Sequence, residues 1–167
     1  MKIFVAILMG SDSDWPIMQA AYDILQDLQI IVEVKTLSAH RTPDAVRNYI
    51  KDAEQRGCEI FIAAAGLAAH LAGSIAALTI KPVIGVPLDA GPLQGMDALL
   101  STVQMPAGIP VATVAIGKHG AQNAAFLAGQ ILALNDSSLA LRLKQIREKK
   151  AQEILAKNQQ FESLLKK

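Results

Sequence analysis

A single cysteine, Cys58, excludes an internal disulfide and any cluster of thiolate metal ligands. Aromatic residues make up 4% of the 167 residues, with Trp15 the one tryptophan, so no loop offers the paired aromatic platforms of a flavin-dependent electron carrier. Neither sign of charge is in excess. A net charge of +1 argues against a nucleic-acid protein relying on a strong basic field. No apolar run approaches the roughly 18 to 20 residues needed to cross a bilayer, and the run 3–9 is too short and too early for a signal peptide. The expectation is a cytoplasmic protein with no membrane or nucleic-acid partner. What the chain does have is aliphatic bulk. Hydrophobic residues reach 51%, mostly alanine and branched aliphatics, enough for one domain over 1–167 with close helix–sheet packing.

Apolar segments alternate with helical patterns along most of that length. The run 3–9 reads as a strand buried on both faces. A helix follows, with Ser13 or Asp14 as its expected cap and Pro16 in its first turn. Residues 30–37 form the second strand. Next comes a helix over 43–56, with Thr42 as cap, Pro43 at its first position and Gly57 as its stop. Strand three is 60–65, followed by a small-residue helix over about 68–78. Strand four is 82–87, followed by a loop over 88–95 and a short helix over 96–104. Strand five is 110–116, a helix spans 121–134, and a last long helix covers about 139–165.

Five strand–helix alternations imply a parallel sheet with helices on both faces, a three-layer doubly wound α/β domain. Ligands in such folds bind at the carboxyl ends of the strands, where the strand order switches. That rule selects the turns Gly10–Asp14, Ser38–Arg41, Gly66–His70, Leu88–Gly95 and Gly117–His119, of which the first three hold nearly all the polar residues of interest. Gly10-Ser11-Asp12-Ser13-Asp14 supplies a glycine for close approach, hydroxyls for a phosphate and carboxylates for ribose hydroxyls. Ser38-Ala39-His40-Arg41-Thr42-Pro43 adds a permanent cation with fork geometry, and an imidazole able to move protons near neutral pH. Ala63-Ala64-Ala65-Gly66-Leu67-Ala68-Ala69-His70-Leu71-Ala72-Gly73 is a small-residue stretch that lets backbone and ligand approach closely, and its one titratable group is His70. His119, after strand five, is expected on the surface. Cys58 precedes strand three, at the wrong end of a parallel strand for a nucleophile.

Rival chemistries lack their residues. A phospho-accepting receiver domain needs a carboxylate at the end of strand three, where this chain has Ala63-Ala64-Ala65-Gly66. Two histidines with only Asp12 and Asp14 nearby make a poor metal site, so no metal is expected. A small phosphorylated ligand handled by histidine acid–base chemistry fits best. A non-catalytic nucleotide-binding module is the alternative from another class.

The motifs Gly10-Ser11-x-Ser13-Asp14, Ser38-Ala39-His40-Arg41-Thr42-Pro43, Ala65-Gly66-x-Ala68-Ala69-His70-Leu71-x-Gly73 and Gly95-x-Asp97-x-Leu99-Leu100-Ser101-x-Val103-Gln104-Met105-Pro106 stand in this order. With Gly108-x-Pro110-Val111-Ala112-Thr113-Val114-Ala115-Ile116, they closely resemble the catalytic-subunit family of phosphoribosylaminoimidazole carboxylase, in its bacterial mutase branch, over roughly residues 3–135. The resemblance implies a flavodoxin-like fold and a homo-octamer. It also implies movement of a carboxylate from the exocyclic nitrogen of an aminoimidazole ribonucleotide to ring carbon C4, without metal, ATP or other cofactor. An ATP-dependent synthase would supply the N-carboxylated substrate. His40 matches the family's general acid–base and His70 a second active-site histidine. Ser11, Asp14 and Arg41 match its substrate-binding positions, and Gly10, Ser13, Ser38, Gly66, Ala68 and Leu71 complete the expected site. The competing activity within the family is a carboxylase taking free carbon dioxide, whose animal-type members differ over 63–73. Leu67 and Ala72 stand where many relatives carry glycine and proline, and 89–94 is atypical, so no contact is carried onto that loop. From Arg142 onward eight Lys or Arg face three Glu. The stripe Ala151, Ile154, Phe161 and Leu165 is expected to pack on a neighbouring subunit.

Overall fold

The computed structural model describes residues 2–165. Five parallel strands, β1 (Phe4–Met9), β2 (Ile31–Thr36), β3 (Cys58–Ala65), β4 (Val83–Pro87) and β5 (Ala112–Thr113), lie in the order β2-β1-β3-β4-β5. Between them run α1 (Trp15–Asp27), α2 (Pro43–Arg56), α3 (Leu71–Ala76) and α4 (Met96–Val103), followed by α5 (Gly117–Leu132) and α6 (Ser137–Leu165). The chain leaves β1 toward β2 and then reverses past β1 to β3. With right-handed crossovers, that reversal puts α1 on one face of the sheet and α2, α3 and α4 on the other. One face of the core joins Phe4, Ala6, Leu8, Phe61 and Ala63 to Val46, Ile50 and Ala53 of α2 and Leu71, Ala72 and Ile75 of α3. Alternation along β1 turns Val5 and Ile7 the opposite way, and both are fully buried.

Low aromatic content makes close approach the packing rule. Gly85 of β4 leaves room for Thr102 of α4 and Val111, since a Cβ there would lie 2.4 and 2.8 Å from their methyl carbons. Ala121, Ala124, Ala125 and Ala128 of α5 are fully buried, as the alanine-rich helix required. Compact contacts divide the chain after residue 128. In the second unit Asp136 caps α6, its Oδ1 accepting from Ser138 N at 2.9 Å and Leu139 N at 3.0 Å. A bond from the Ser138 hydroxyl at 2.7 Å, with the Leu139 and Ser138 amides, holds the Asp136 carboxyl below the usual range. Ile154, Phe161 and Leu165 of α6 are exposed.

The structure corrects several boundaries. The fifth strand, expected over 110–116, pairs with β4 only through Ala112 and Thr113, plus one bond from Val114 N to Gly85 O at 3.0 Å. Pro110 has no N–H to donate, and an edge strand has one neighbour only. Helix α5 begins at Gly117 rather than 121, because that glycine takes φ +70 and turns the chain straight into the helix. Helix α3 starts three residues later than expected, since 66–70 turn as a loop. Thr42 stands at the N-cap position of α2, as expected, but its hydroxyl makes no capping bond. Its Oγ1 instead accepts from Ser38 N at 2.9 Å and donates to Ser38 O at 3.0 Å.

Strand β2 is an edge, and charge protects it. Glu33 accepts from Tyr49 Oη at 3.0 Å and pairs with Arg56, whose guanidinium stacks 5.1 Å from the Phe4 ring. Arg56 chiefly holds the Glu33 carboxyl below its ordinary 4.5. A carboxylate with a lowered folded value stabilises above the ordinary value and loses that contribution as pH falls through the lowered one. Glu33→Gln should therefore lower the urea midpoint at pH 7. The gap to the parent chain should close as the pH is taken below about 4.5 in a midpoint-versus-pH series. A gap that stays constant with pH would assign the loss to packing.

Candidate functional site

Three turns at the carboxyl ends of β1, β2 and β3 build the site, and hydrogen bonds within each turn fix its side chains. After β1, Gly10 N donates to Ala64 O at 3.1 Å, tying the first turn to the end of β3. A short 3-10 turn over Asp12–Asp14 follows, capped by Ser11, and Asp14 then stands at the N-cap position of α1 without a side-chain capping bond. Ser13 N donates to Ser11 Oγ at 3.3 Å, while Asp14 Oδ2 accepts from Ser11 N at 3.0 Å, a reciprocal capping box. Half-buried Asp14 has its carboxyl pushed up, mainly by burial, and only partly countered by the hydrogen bonds it accepts.

The turn after β2 is closed on itself. Leu37 N reaches back to Met9 O at 2.8 Å, and Arg41 N donates to Ser38 Oγ at 3.1 Å. Arg41 then spans two strand ends, its Nη2 donating to Gly10 O at 2.9 Å and its Nε to Ser38 Oγ at 3.4 Å. With Thr42 locking the same turn, His40 is left to project away from it. His70, just before α3, projects from the third turn. The two imidazoles meet edge to face: His40 Nε2 lies 2.6 Å from His70 Nδ1, the ring centroids are 4.8 Å apart and the planes are at 90°. That separation fits a hydrogen bond between the rings, with the tautomers setting which nitrogen donates and which accepts.

One cleft of about 480 Å³ collects the expected residues, a volume within the range of small-molecule sites. Gly10, Ser11, Ser13 and Asp14 line it from the first turn, and Ser38, His40 and Arg41 from the second. Gly66, Ala68, His70 and Leu71 line it from the third. A second hollow of about 350 Å³ shares Gly10, Ser11, Ser38 and Arg41 and adds Asp12, Thr36 and Thr42, a hydroxyl-rich setting around the guanidinium. The large cleft is polar at the serine and arginine end and apolar at the other, where Ala65, Gly66, Leu67, Ala68 and Ala90 form its wall.

Ala39, Ala65 and Leu67, which the sequence offered only as members of their motifs, also line the cleft, and so does Ala90. Ala90 belongs to the loop after β4, onto which no contact was carried. The rule of strand carboxyl ends placed that loop at the right edge, but an alanine advertises no chemistry. His119 is exposed and stands outside the lining. Cys58 is fully buried at the opposite end of β3, and burial pushes its thiol up to about 12, so it supplies no thiolate. Among the described residues no three His, Cys, Asp or Glu side chains group so as to hold a metal ion, and no helix is long and apolar enough to cross a membrane.

Known proteins resemble this chain over nearly its whole length. Residues 4–153 match the model of the AIR carboxylase family. The N5-carboxyaminoimidazole ribonucleotide mutase of Bacillus subtilis is 52% identical over 161 residues, covering 96% of this chain and 99% of that one. The Escherichia coli K12 protein of the same name is 52% identical over 151 residues, covering 90% of this chain and 89% of its own. The crystal structure of Treponema denticola PurE superposes with a TM-score of 0.85 at 30% identity, over 94% of this chain and 97% of that one.

Proposed function

The chain belongs to the AIR carboxylase family, and on that premise we propose that it is a mutase of purine biosynthesis. It converts N5-carboxyaminoimidazole ribonucleotide to 4-carboxy-5-aminoimidazole ribonucleotide. The observation that carries this reading is the His40–His70 pair facing one cleft with a polar end for a sugar phosphate and an apolar end beside the rings. Arg41, Ser11 and Ser38 take the phosphate. Arg41 is already held by Gly10 O and Ser38, so its fork is positioned before the ligand arrives. Asp14 takes ribose hydroxyls, and Ser13, Gly10, Gly66, Ala68 and Leu71 shape the remaining contacts.

The reaction needs one proton given and one proton taken. His40 protonates the carbamate nitrogen, the C–N bond breaks, and carbon dioxide is left beside a neutral, enamine-like ring. C4 attacks the carbon dioxide carbon, and loss of the C4 proton to an imidazole restores the aromatic ring. Two imidazoles within hydrogen-bond distance suit this balance, because one can donate at one stage and the other accept at the next. The alanine and glycine wall offers few groups to hydrate carbon dioxide. Proximity contributes the rest, since a weak electrophile is held against its carbon acceptor. No metal or cofactor has a part in these steps.

A homo-octamer is part of the proposal. Met96, Leu100 and Val103 form an outward apolar row at helical spacing on α4, and Ile154, Phe161 and Leu165 stand exposed on α6; a neighbouring copy would cover both. The protein works in the cytoplasm, downstream of an ATP-dependent synthase that carboxylates the amine. The test offers the N-carboxylated ribonucleotide without bicarbonate and, separately, the free amine ribonucleotide with it. The expected result is rapid C4-carboxylated product from the first alone. Product from the amine and bicarbonate only would assign the carboxylase activity instead, and binding without product would leave a nucleotide-binding module.

A further inference from the structure

Leu67 is one of three non-glycine residues with a positive φ among those described, at +55, and the one of the three that lines the cleft. A branched aliphatic side chain is strained in that conformation, and strain of this kind persists only where the surroundings hold it. Here they do. From Ala65 onward the wall and the loop after β4 meet residue by residue: Leu88 N donates to Ala65 O at 3.0 Å, Gly66 faces Ala90, and Leu67 faces Gly91. A Cβ on Gly66 would lie 2.6 Å from the Ala90 Cβ, and one on Gly91 would lie 2.5 Å from Leu67 Cδ2. Each glycine opens the space that the other loop's side chain fills. The Leu67 side chain thus bridges two loops at the rim of the cleft, half in solvent, on the wall that carries His70.

We propose that Leu67, braced on Gly91, closes the outer side of the apolar compartment beside the His40–His70 pair and keeps released carbon dioxide available for capture at C4. The inference rests on the mutase reading above. Between cleavage of the C–N bond and formation of the C–C bond, carbon dioxide has no covalent tether. The amine has taken one proton and C4 has yet to lose one, so the only hold on the fragment is the wall around it. Leu67 touches that compartment and performs no proton transfer. It governs what share of released carbon dioxide is recaptured.

The test is the product ratio of the full-length protein acting on the N-carboxylated ribonucleotide in the presence of ¹³C-bicarbonate. Leu67→Gly removes the side chain where glycine adopts the backbone freely, so folding is preserved. Leu67→Ala keeps the strained backbone and removes only the isobutyl cover. Both should raise the ratio of free amine ribonucleotide to C4-carboxylated product severalfold, and should raise ¹³C in that product in step. A purely structural role, or burial against a second copy, would move stability or assembly and leave both readouts alone. Folded variants with the parent ratio and labelling overturn the proposal, as does a leak seen with glycine but not with alanine. A parent chain that makes no C4-carboxylated product without bicarbonate overturns the mutase reading itself, which is a distinct outcome.

Discussion

Replacing His40 with asparagine is expected to leave a folded chain that still binds the ribonucleotide but turns it over about 10²–10⁴ times more slowly, the usual worth of a positioned proton transfer. The side chain is exposed, and the bond it makes to another side chain is to His70, so no core contact is lost with it. The turn that presents it is held by Ser38, Thr42 and the Arg41 bridge to Gly10, none of which uses the imidazole. Thermal unfolding and ligand titration should therefore match the parent while product formation collapses. His70→Asn in the same assay tests the pair. If the two rings act as one proton-holding unit, the double variant loses little beyond the worse single one. Near-normal turnover by His40→Asn would remove that residue from the chemistry.

The largest stability effect is expected at Gly120. A Cβ built there would lie 1.6 Å from the carbonyl oxygen of Ala115 and 2.7 Å from its carbon. Both atoms are backbone in the segment between β5 and the start of α5, and neither can swing aside as a side-chain end could. Gly120→Ala must push the first turn of α5 away from that segment. Overpacking usually costs about 1–3 kcal/mol, and an immovable backbone neighbour places this change at or above the upper end. A urea titration should show the unfolding free energy falling by that amount, with an earlier midpoint, or no cooperative transition at all. An unchanged midpoint would mean that α5 does not approach Ala115 as closely as the structure has it.

Patterns that depend on neighbouring residues were legible in the chain. Continuous apolar runs separated by helical periodicity specified a buried parallel sheet, because only strands covered on both faces lack alternation. The carboxyl-edge rule then placed Ser11, Asp14, Ser38, His40, Arg41 and His70 in one neighbourhood, and one cleft holds them all. Boundaries failed where a local preference met a tertiary demand. Gly117 and Gly120 read as loop, yet one starts α5 through its left-handed backbone and the other lets that helix approach Ala115. Thr42 read as a helix cap, yet its hydroxyl closes the Ser38 turn that aims His40.

Composition and spacing alone thus determined the class of fold, the sheet edge at which the cleft lies, and the residue types suited to a sugar phosphate and to moving a proton. Those follow from hydrophobic periodicity and from the chemistry of individual side chains, both properties of short stretches. Contact across distant stretches was decided only by the folded chain. It put His40 Nε2 2.6 Å from His70 Nδ1, and it laid Ala90 and Gly91 against Gly66 and Leu67. The reason is geometric: where two loops meet depends on the register and twist of the strands beneath them, which no single stretch of sequence encodes.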